Sequence, residues 1–219
     1  MNVLITCGPG AEPIDEVRRI TNFSTGKLGI FLSNFFTAAG HQVTCTISSG
    51  RTCRDEIQAA AVYEFTTTQD LQGQLEWFSQ NAKFDLVLHA AALSDYVVTQ
   101  VTDTSGIPIP RTKIASNHEV LHLTLQPVPK LIARLRELFP SSKIVGWKYE
   151  LEGSPHDLLE KAFAQIHLNR TDACVLNGKV IGRGFLFCSA QGLQKSLTSL
   201  EELASYLEGW AKASQALIA

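Results

Sequence analysis

Two stretches near the N-terminus decide the fold: VLITCGPG at residues 3–10 and NFSTGKLGIFLSNFFTAAGHQVTCTI at residues 22–47. Residues 3–7 form an apolar run that ends in glycine, residues 26–39 carry apolar side chains at helical spacing, and residues 42–47 form a second apolar run. Apolar runs without polar alternation are typical of strands that are buried on both faces. These stretches therefore predict a strand, a helix and a second strand, with both strands in one parallel sheet.

The same rhythm of strands and helices continues along most of the chain. Further strands are predicted at residues 62–66, 85–92, 143–149, 172–176, 184–189 and 194–197, and further helices at residues 71–81, 128–138 and 156–167 and from Ser199 onward. Ser154 is the expected N-cap of the helix at 156–167, and Ser199 with Glu202 has the spacing of a capping box. We therefore predict one α/β domain over residues 1–219, with a Rossmann-like, three-layer, doubly wound and mainly parallel sheet.

Residues 96–125 interrupt this rhythm. Residues 96–101 alternate between apolar and polar, residues 103–110 are rich in turn formers, and residues 119–125 alternate again, as a half-buried strand would. The segment is predicted to be an inserted β arm. Because its apolar faces and strand edges need a cover, we expect the arm to form a homodimer contact or to cover the substrate.

Composition excludes several classes of protein. A net charge of −2 over 219 residues provides no basic footprint for nucleic acid and no polybasic membrane patch. No stretch approaches the ~20 apolar residues that a membrane span needs, and the N-terminus lacks a signal peptide, so a cytoplasmic location is expected. The five cysteines are Cys7, Cys45, Cys53, Cys174 and Cys188. Their odd number and mostly apolar surroundings predict buried, reduced thiols.

Two loops follow predicted strands at the carboxyl edge of the sheet, where α/β proteins bind ligands. The first is Gly8-Pro9-Gly10, and the second is Ser24-Thr25-Gly26-Lys27 ahead of the first helix. Hydroxyl donors, a glycine and a helix N-terminus favour a phosphate, although an ordinary capped helix explains the second loop equally well. A Walker A loop is excluded because Leu28 follows Gly26-Lys27, and the G-x-G-x-x-G dinucleotide fingerprint is absent as well.

The connection between these loops is longer than a simple strand-to-helix turn, and it contains Arg18 and Asn22. A planar guanidinium suits a carboxylate or phosphate, and a neutral amide supplies both a donor and an acceptor. An isolated arginine is also an ordinary surface residue. From the residues alone, both interpretations of Arg18 stay open.

A family resemblance rests on this region. The order GPG-x-EPID-x-VR-x-ITNFSTGKLG at residues 8–29 resembles the opening signature of phosphopantothenoylcysteine synthetases, the ligase part of the DNA/pantothenate metabolism flavoprotein family, here in a stand-alone form. HAAALSDY at residues 89–96 is similar to the family's A-A-x-x-D-[YF] segment, and Lys113-Ile114 is similar to its K-I pair. Weaker similarities are Pro129-Lys130, Gly146-Trp147-Lys148 and Asn177.

The resemblance implies a ligase that activates 4′-phosphopantothenate as an acyl-nucleotide and then joins it to L-cysteine in coenzyme A biosynthesis. The implied partners are these two substrates and CTP or ATP with Mg²⁺; no flavin, nucleic acid or membrane is expected. The implied catalytic residues are Asn22, Lys113 and Arg18. The implied nucleotide-binding residues are Gly8, Gly10, Ala91, Asp95, Trp147 and Lys148, and the implied phosphate or substrate residues are Ser24, Thr25, Gly26 and Lys27. No dedicated protein metal site is expected, since Mg²⁺ would sit on the nucleotide near Asp95.

Departures from the family pattern leave alternatives open. Lysines that many bacterial members carry before the last parallel strand are missing, as is a G-F-N-S-D type flap, so Arg170 or Lys179 is a candidate to grip the triphosphate. Asp95 could instead cap a turn. A non-catalytic nucleotide-binding relative is the main rival function. An NAD(P)-dependent reductase is the weaker rival, because no tyrosine has a lysine four residues later.

Overall fold

The computed structural model describes residues 1–215, which form a mixed α/β structure. The strands are β1 (Asn2–Pro9), β2 (Ala11–Pro13), β3 (Arg19–Thr21), β4 (Gln42–Ser48), β5 (Ala61–Phe65), β6 (Leu86–Ala92), β7 (Tyr96–Thr102), β8 (His122–Pro127), β9 (Lys143–Tyr149), β10 (Ala173–Gly178), β11 (Gly182–Ser189) and β12 (Gly192–Leu197). The helices are α1 (Lys27–Ala38), α2 (Thr68–Asn81), α3 (Leu135–Leu138), α4 (Pro155–Asn169) and α5 (Leu200–Gln215), with a 3-10 helix at Leu131–Arg134.

Eight strands form the central sheet in the order β12-β11-β10-β9-β6-β1-β4-β5. The six strands from β10 to β5 run parallel, whereas β11 and β12 are antiparallel additions at one edge. The chain builds outward from β1 to β5, returns to the centre, and then builds the other way from β6 to β10. This doubly wound order places the topological switch point between β1 and β6 and confirms the predicted fold class.

Helices cover both faces of the sheet. On one face, α1 and α5 pack on alternate side chains of β1, β6, β9 and β10. On the other face, α2, the 3-10 helix and α3 pack over β1 and β6. Helix α4 packs on Cys174 and Leu176, which point away from the α5 side of β10. The three-layer arrangement follows from strands that are apolar on both faces.

Helix α1 lies unusually close to β1. A Cβ atom built on Gly29 would lie 2.0 Å from Cys7 Cβ, so only glycine permits this contact. The helix begins at Lys27, one residue later than predicted, because Gly26 adopts a left-handed φ of 83°. Glycine adopts this conformation at no steric cost, and the preceding loop ends there. Cys7, Cys45, Cys174 and Cys188 are buried free thiols, as predicted, while Cys53 is half-buried.

The predicted helix at residues 128–138 is wrong in its first part. Val128 is extended and its N–H donates to the Asp95 carbonyl at 2.9 Å, which continues the pairing of β8 with β7. Pro129 disfavours a helical conformation at the residue before it. Helical structure therefore starts only at Leu131, as one 3-10 turn followed by α3.

Residues 96–127 form the inserted arm, whose strands β7 and β8 pair antiparallel in a separate two-stranded sheet. A bulge between Val98 and Gln100 turns Val98 and Val101 to one buried face, where they meet Ile114. Strand β8 starts three residues later than predicted, and all its residues are exposed. The expectation of a half-buried strand was wrong, because no second layer of the described residues covers it.

Two further differences concern local structure. The long connection after β1 contains a short hairpin of β2 and β3, which its sequence did not indicate. At the start of α5, the Ser199 hydroxyl accepts a hydrogen bond from the Glu202 N–H, but the Glu202 carboxylate reaches Thr198 instead of Ser199. The predicted capping box is therefore only half formed. Within residues 1–215, no helix has the length and apolar character needed to cross a membrane.

Candidate functional site at the carboxyl ends of the strands

A cavity of about 500 Å³ opens at the carboxyl ends of β6 and β9, beside the switch point of the sheet. Its walls come from the segment after β6, the 3-10 helix, the end of β9 and one side of α4. The lining residues include Ala91, Asp95, Trp147 and Lys148, which the resemblance implies for the nucleotide. A volume of this size suits a ligand as large as a nucleotide.

Gly146 helps to open the cavity between β9 and α4. A Cβ atom there would lie 2.5 Å from Gln165 Nε2 and 2.6 Å from Ile132 Cδ1, so the glycine admits both side chains over the strand. Gln165 is fixed in turn by the Cys174 thiol, which donates to its Oε1 at 2.9 Å. The wall formed by α4 is thus set by packing on the sheet.

Three lysines make the cavity wall cationic. Lys130 lies 3.4 Å from the Asp95 carboxylate, with both side chains more than 60% exposed. Lys148 and Lys161 both approach Glu150, at 3.9 Å and 2.5 Å. That shared carboxylate raises the pKa of Lys161 and holds the two ammonium groups beside each other. Among residues 1–215, Asp95 is the only carboxylate that lines the wall, so the lining residues carry an excess of positive charge.

The two glycine loops lie beside this cavity and contact each other. Gly8 has a φ of 87°, and a Cβ on it would lie 2.9 Å from Ser48 Cβ. A Cβ on Gly26 would lie 3.7 Å from Gly8 Cα and 3.2 Å from Arg51 Cβ. The Arg51 guanidinium is directed elsewhere, because its Nη1 donates to Glu64 Oε1 at 2.7 Å and to the Ser48 carbonyl at 3.3 Å. Thr25 Oγ1 accepts a hydrogen bond from the Lys27 N–H at 3.3 Å, whereas Ser24 makes no capping bond.

Asn22 connects the loops to the cavity. Its Nδ2 donates to the carbonyl oxygens of Ala92 and Leu93 at 2.8 Å and 3.0 Å, and Leu93 lines the cavity. Both bonds need the NH₂ group, which fixes the orientation of the amide. Asn22 Oδ1 has no hydrogen-bond partner among residues 1–215, so the group it offers to a ligand is an acceptor.

Arg18 and Asp15 tie the loop after β1 to the arm; we call these two residues and Ile114 the staple. Arg18 Nη1 donates to Asp15 Oδ2 at 2.9 Å and to the Ile114 carbonyl at 3.1 Å. Asp15 Oδ2 also accepts from the Ile114 N–H at 3.1 Å. Burial opposes the Asp15 charge, but hydrogen bonds from Val17, Arg18 and Ile114 and the Arg18 guanidinium outweigh it and lower the pKa of Asp15.

The staple fixes the turn that carries Lys113, and it does not engage the Lys113 ammonium. Lys113 precedes Ile114 on an exposed turn, and its ammonium has no partner within the described part of the chain. Arg18, by contrast, directs its guanidinium toward protein groups. The structure therefore gives Arg18 a positioning role toward the Lys113 turn.

The six residues that the resemblance implies for the nucleotide do not all line the cavity. Ala91, Asp95, Trp147 and Lys148 line the cavity. Gly8 and Gly10 do not: Gly8 packs on Ser48, and Gly10 packs on Leu93, with its N–H bonded to the Ala92 carbonyl. Arg170 and Lys179, the suggested substitutes for the missing lysines, are also absent from the cavity wall. Arg170 instead pairs with Glu137 at 3.2 Å.

Several lining residues had no sequence signal. Thr68 and Gln165 come from α2 and α4 and reach the cavity only through helix packing, and Lys161 is one charged residue among many on a surface helix. His89 is the first residue of the HAAALSDY stretch, but the family segment that this stretch resembles starts after it and assigns it no role. Burial lowers the pKa of His89 to about 4, so its ring is neutral near pH 7.

A doubly wound sheet with a cationic cavity at the carboxyl ends of its strands defines a ligand-binding α/β protein of the Rossmann-like class. Within that class, the chain belongs to the family of the DNA/pantothenate metabolism flavoprotein C-terminal domain, which matches residues 1–193. The resemblance found in the sequence is confirmed.

Individual relatives agree with this assignment. The coenzyme A biosynthesis bifunctional protein CoaBC of Thermococcus kodakarensis is 33% identical over 175 residues, which are 80% of this chain and 40% of that protein. The chain thus spans less than half the length of the curated CoaBC relatives that it matches. The solved DNA/pantothenate metabolism flavoprotein from Streptococcus pneumoniae is 26% identical with a TM-score of 0.87, over 98% of this chain and 99% of that one. The C-terminal domain of a CoaBC protein shares the fold at 20% identity, with a TM-score of 0.72 over 98% of this chain and 95% of that one.

Proposed function

We propose that this chain is a ligase that joins 4′-phosphopantothenate to L-cysteine, using a nucleoside triphosphate to activate the acid. Family membership and relatives named for coenzyme A biosynthesis support the proposal. One observation carries it: Asn22 bonds to Leu93 at the rim of the cavity that Ala91, Asp95, Trp147 and Lys148 line. Asn22, which the resemblance implies as a catalytic residue, therefore lies beside residues that it implies for the nucleotide.

The nucleotide is assigned to the cavity. Lys130, Lys148 and Lys161 supply positive charge for its phosphates, and the last two are held in place by Glu150. Charge-assisted hydrogen bonds to phosphate oxygens are about twice as strong as neutral ones. Lys148 and Lys161 can therefore take over the role of the lysines that are missing before the last parallel strand.

Magnesium is assigned to the nucleotide and not to the protein alone. Within residues 1–215, no three His, Cys, Asp or Glu side chains come together to hold a metal. Asp95 is the one carboxylate of the cavity wall, and a carboxylate oxygen fits the hard-ligand preference of Mg²⁺. Bound to the triphosphate, Mg²⁺ would neutralise part of its charge.

In the first step, a carboxylate oxygen of 4′-phosphopantothenate attacks the α-phosphorus, and pyrophosphate leaves. The free ammonium of Lys113 suits the negative charge that is redistributed in this step, and the staple holds its turn in place. The product is an acyl-nucleotide. Stabilisation by positioned charge is the usual mode of catalysis in such transfers.

In the second step, the cysteine amine attacks the acyl carbon and gives up a proton to solvent, the bond to the nucleotide breaks, and a nucleoside monophosphate leaves. Asn22 Oδ1 is an acceptor fixed at the cavity rim, because its NH₂ group is held by two carbonyl oxygens. An acceptor can orient the N–H groups of the attacking amine. Asn22 is therefore assigned to the second step, as an acceptor and not as an oxyanion donor.

A homodimer through the arm is part of the proposal. Tyr96, Ile107, Leu123 and Leu125 are between 37% and 60% exposed on the arm, and a second copy would cover them. Light scattering should give about twice the protomer mass of 24.0 kDa. Leu125→Glu should shift the mass toward the monomer, whereas Leu193→Glu, equally 44% exposed on β12, should not. A monomer at every concentration contradicts this arrangement.

The decisive test of function is pyrophosphate release by the full chain, with CTP and ATP compared side by side. Release should need Mg²⁺, a nucleotide and 4′-phosphopantothenate, whereas amide formation should also need cysteine. Nucleotide binding without any pyrophosphate release would support the non-catalytic relative instead. The comparison of CTP with ATP also decides which nucleotide the site prefers.

A further inference from the structure

The floor of the cavity contains a buried histidine with a defined hydrogen bond. His89 is the fourth residue of β6 and only 7% exposed, yet it lines the cavity. It lies in register with Thr6 on β1. Its Nδ1 lies 2.7 Å from Thr6 Oγ1, and both residues are buried. Because Nδ1 is engaged with Thr6, Nε2 is the ring nitrogen left for the cavity.

The tautomer of His89 follows from the hydrogen bond that the buried Thr6 hydroxyl must donate. The Thr6 hydroxyl has no other hydrogen-bond partner within residues 1–215. A buried hydroxyl whose proton has no acceptor carries a desolvation penalty. Thr6 therefore donates its proton to Nδ1, which places the ring proton on Nε2. His89 thus offers a neutral N–H donor, held at a fixed angle by two sheet strands.

Two more polar atoms of the cavity lining lack partners. Thr68 Oγ1 and Trp147 Nε1 are both buried without a hydrogen bond among the described residues, and Thr68 is only 6% exposed. Because buried polar atoms are nearly always satisfied, these two atoms are available to hydrogen-bond a ligand that enters the cavity. With His89, they give the cavity a set of neutral hydrogen-bonding groups, separate in character from its lysines.

We propose that His89 determines nucleotide recognition by donating a hydrogen bond from Nε2–H to an uncharged acceptor of the base, together with the Thr68 hydroxyl and the Trp147 indole. This inference rests on the proposed function, because it assigns one part of the same nucleotide. A base carries neutral carbonyl or ring-nitrogen acceptors and can enter a buried floor without bringing charge. A phosphate would favour the charged lysines of the wall and would be costly to bury beside a neutral ring.

Binding to the full chain tests the assignment, with CTP, ATP and inorganic tripolyphosphate each titrated calorimetrically in the presence of Mg²⁺. His89→Phe keeps a ring but removes the donor, and it should weaken binding of the preferred nucleotide about tenfold. Tripolyphosphate binding should change less than twofold, since it has no base. Thr6→Val should weaken nucleotide binding by a smaller factor. It leaves the His89 ring in place and removes only the hydroxyl that keeps the ring proton on Nε2.

Thr46→Val is the matched control. Thr46 is paired in register with Thr6, is equally buried, and donates to Gln74 instead of a cavity residue. It should leave nucleotide binding unchanged. Equal nucleotide affinity in His89→Phe and the wild type overturns the inference, as does an equal loss for tripolyphosphate. If the wild-type chain binds no nucleotide at all, the proposed function fails as well.

Nitrogen NMR of ¹⁵N-histidine-labelled protein gives a test that does not depend on His89→Phe folding. The His89 signal, identified by its change in Thr6→Val, should show a protonated Nε2 and an unprotonated Nδ1 near pH 7. Adding CTP or ATP should shift the Nε2–H resonance, and adding tripolyphosphate should not. A proton on Nδ1 in the wild type, or no shift with a nucleotide that binds, contradicts the proposal.

Discussion

Two regions of the molecule are held in place in different ways. The cavity floor contains His89, which is bonded to Thr6 on the adjacent strand of the central sheet, and both residues are almost completely buried. The second region is the exposed turn that carries Lys113, which is held by the staple. Asn22, in the same connection as Arg18, bonds to the end of β6.

The cavity floor and the turn that carries Lys113 are therefore fixed by different interactions. In the sheet, close packing in the interior leaves each side chain few orientations. The turn that carries Lys113 is exposed, and it is placed by hydrogen bonds to a buried carboxylate together with the packing of Ile114. We therefore expect substitutions in the sheet to affect folding first, and substitutions in the staple to affect chemistry first.

The largest effect is expected from Gly29→Ala in α1. Its Cβ would lie 2.0 Å from Cys7 Cβ, so the helix must move away from β1, which should lower the free energy of unfolding by about 3 kcal/mol. Gly73→Ala is the matched control, because nothing lies within 4 Å of that position on α2. It should stabilise the protein by about 0.5–1 kcal/mol. Urea denaturation measures both, and equal effects would refute the packing argument.

Asn22→Asp and Lys113→Gln should separate the two chemical steps. Asn22→Asp removes the NH₂ group that bonds to Ala92 and Leu93, so the acyl-nucleotide should still form and then accumulate. Lys113→Gln removes the free cation and should prevent pyrophosphate release. Each loss should be about 100-fold in turnover, or ~3 kcal/mol. Mass spectrometry of quenched mixtures detects the intermediate; if both variants fail at the same step, the division of roles is wrong.

Asp15→Asn should weaken the staple without changing the cavity. It replaces a carboxylate that accepts hydrogen bonds from Val17, Arg18 and Ile114, so the Lys113 turn should lose its fixed position. Turnover should fall about tenfold, while nucleotide affinity changes less than twofold. Glu16→Gln, at the exposed neighbouring residue, is the control and should behave as wild type. A matching loss of nucleotide affinity would show that the two regions are not independent.

The smallest effect is expected from pH in the neutral range. Because the folded-state pKa of Asp15 is lowered, its charge stabilises the staple at any pH above the unfolded value of about 3.9. That contribution is lost only as the pH falls through the lower, folded-state pKa. Protection of the Ile114 amide from hydrogen exchange, corrected for intrinsic rates, should thus be constant from about pH 5 to 8. Loss of protection already near pH 6 would contradict the assignment to Asp15.

The sequence by itself determined the parallel sheet, the helices on both faces, the arm and the family. Apolar runs and helical spacing are local patterns that can be recognised without knowing the tertiary structure. The family signature at residues 8–29 is continuous in the sequence, so it can be recognised in the same way. The same signature pointed to Asn22, and the segment at residues 89–96 pointed to Ala91 and Asp95.

Only the tertiary structure decided how these residues share one site. Thr6 and His89 are 83 positions apart, and Arg18 and Ile114 are 96 apart, so no local pattern predicts that they meet. The structure also shows that protein groups already engage the Asn22 NH₂ group and the Arg18 guanidinium. A side chain's role depends on which of its hydrogen-bonding groups the fold has already used, and that is settled by contacts between distant segments.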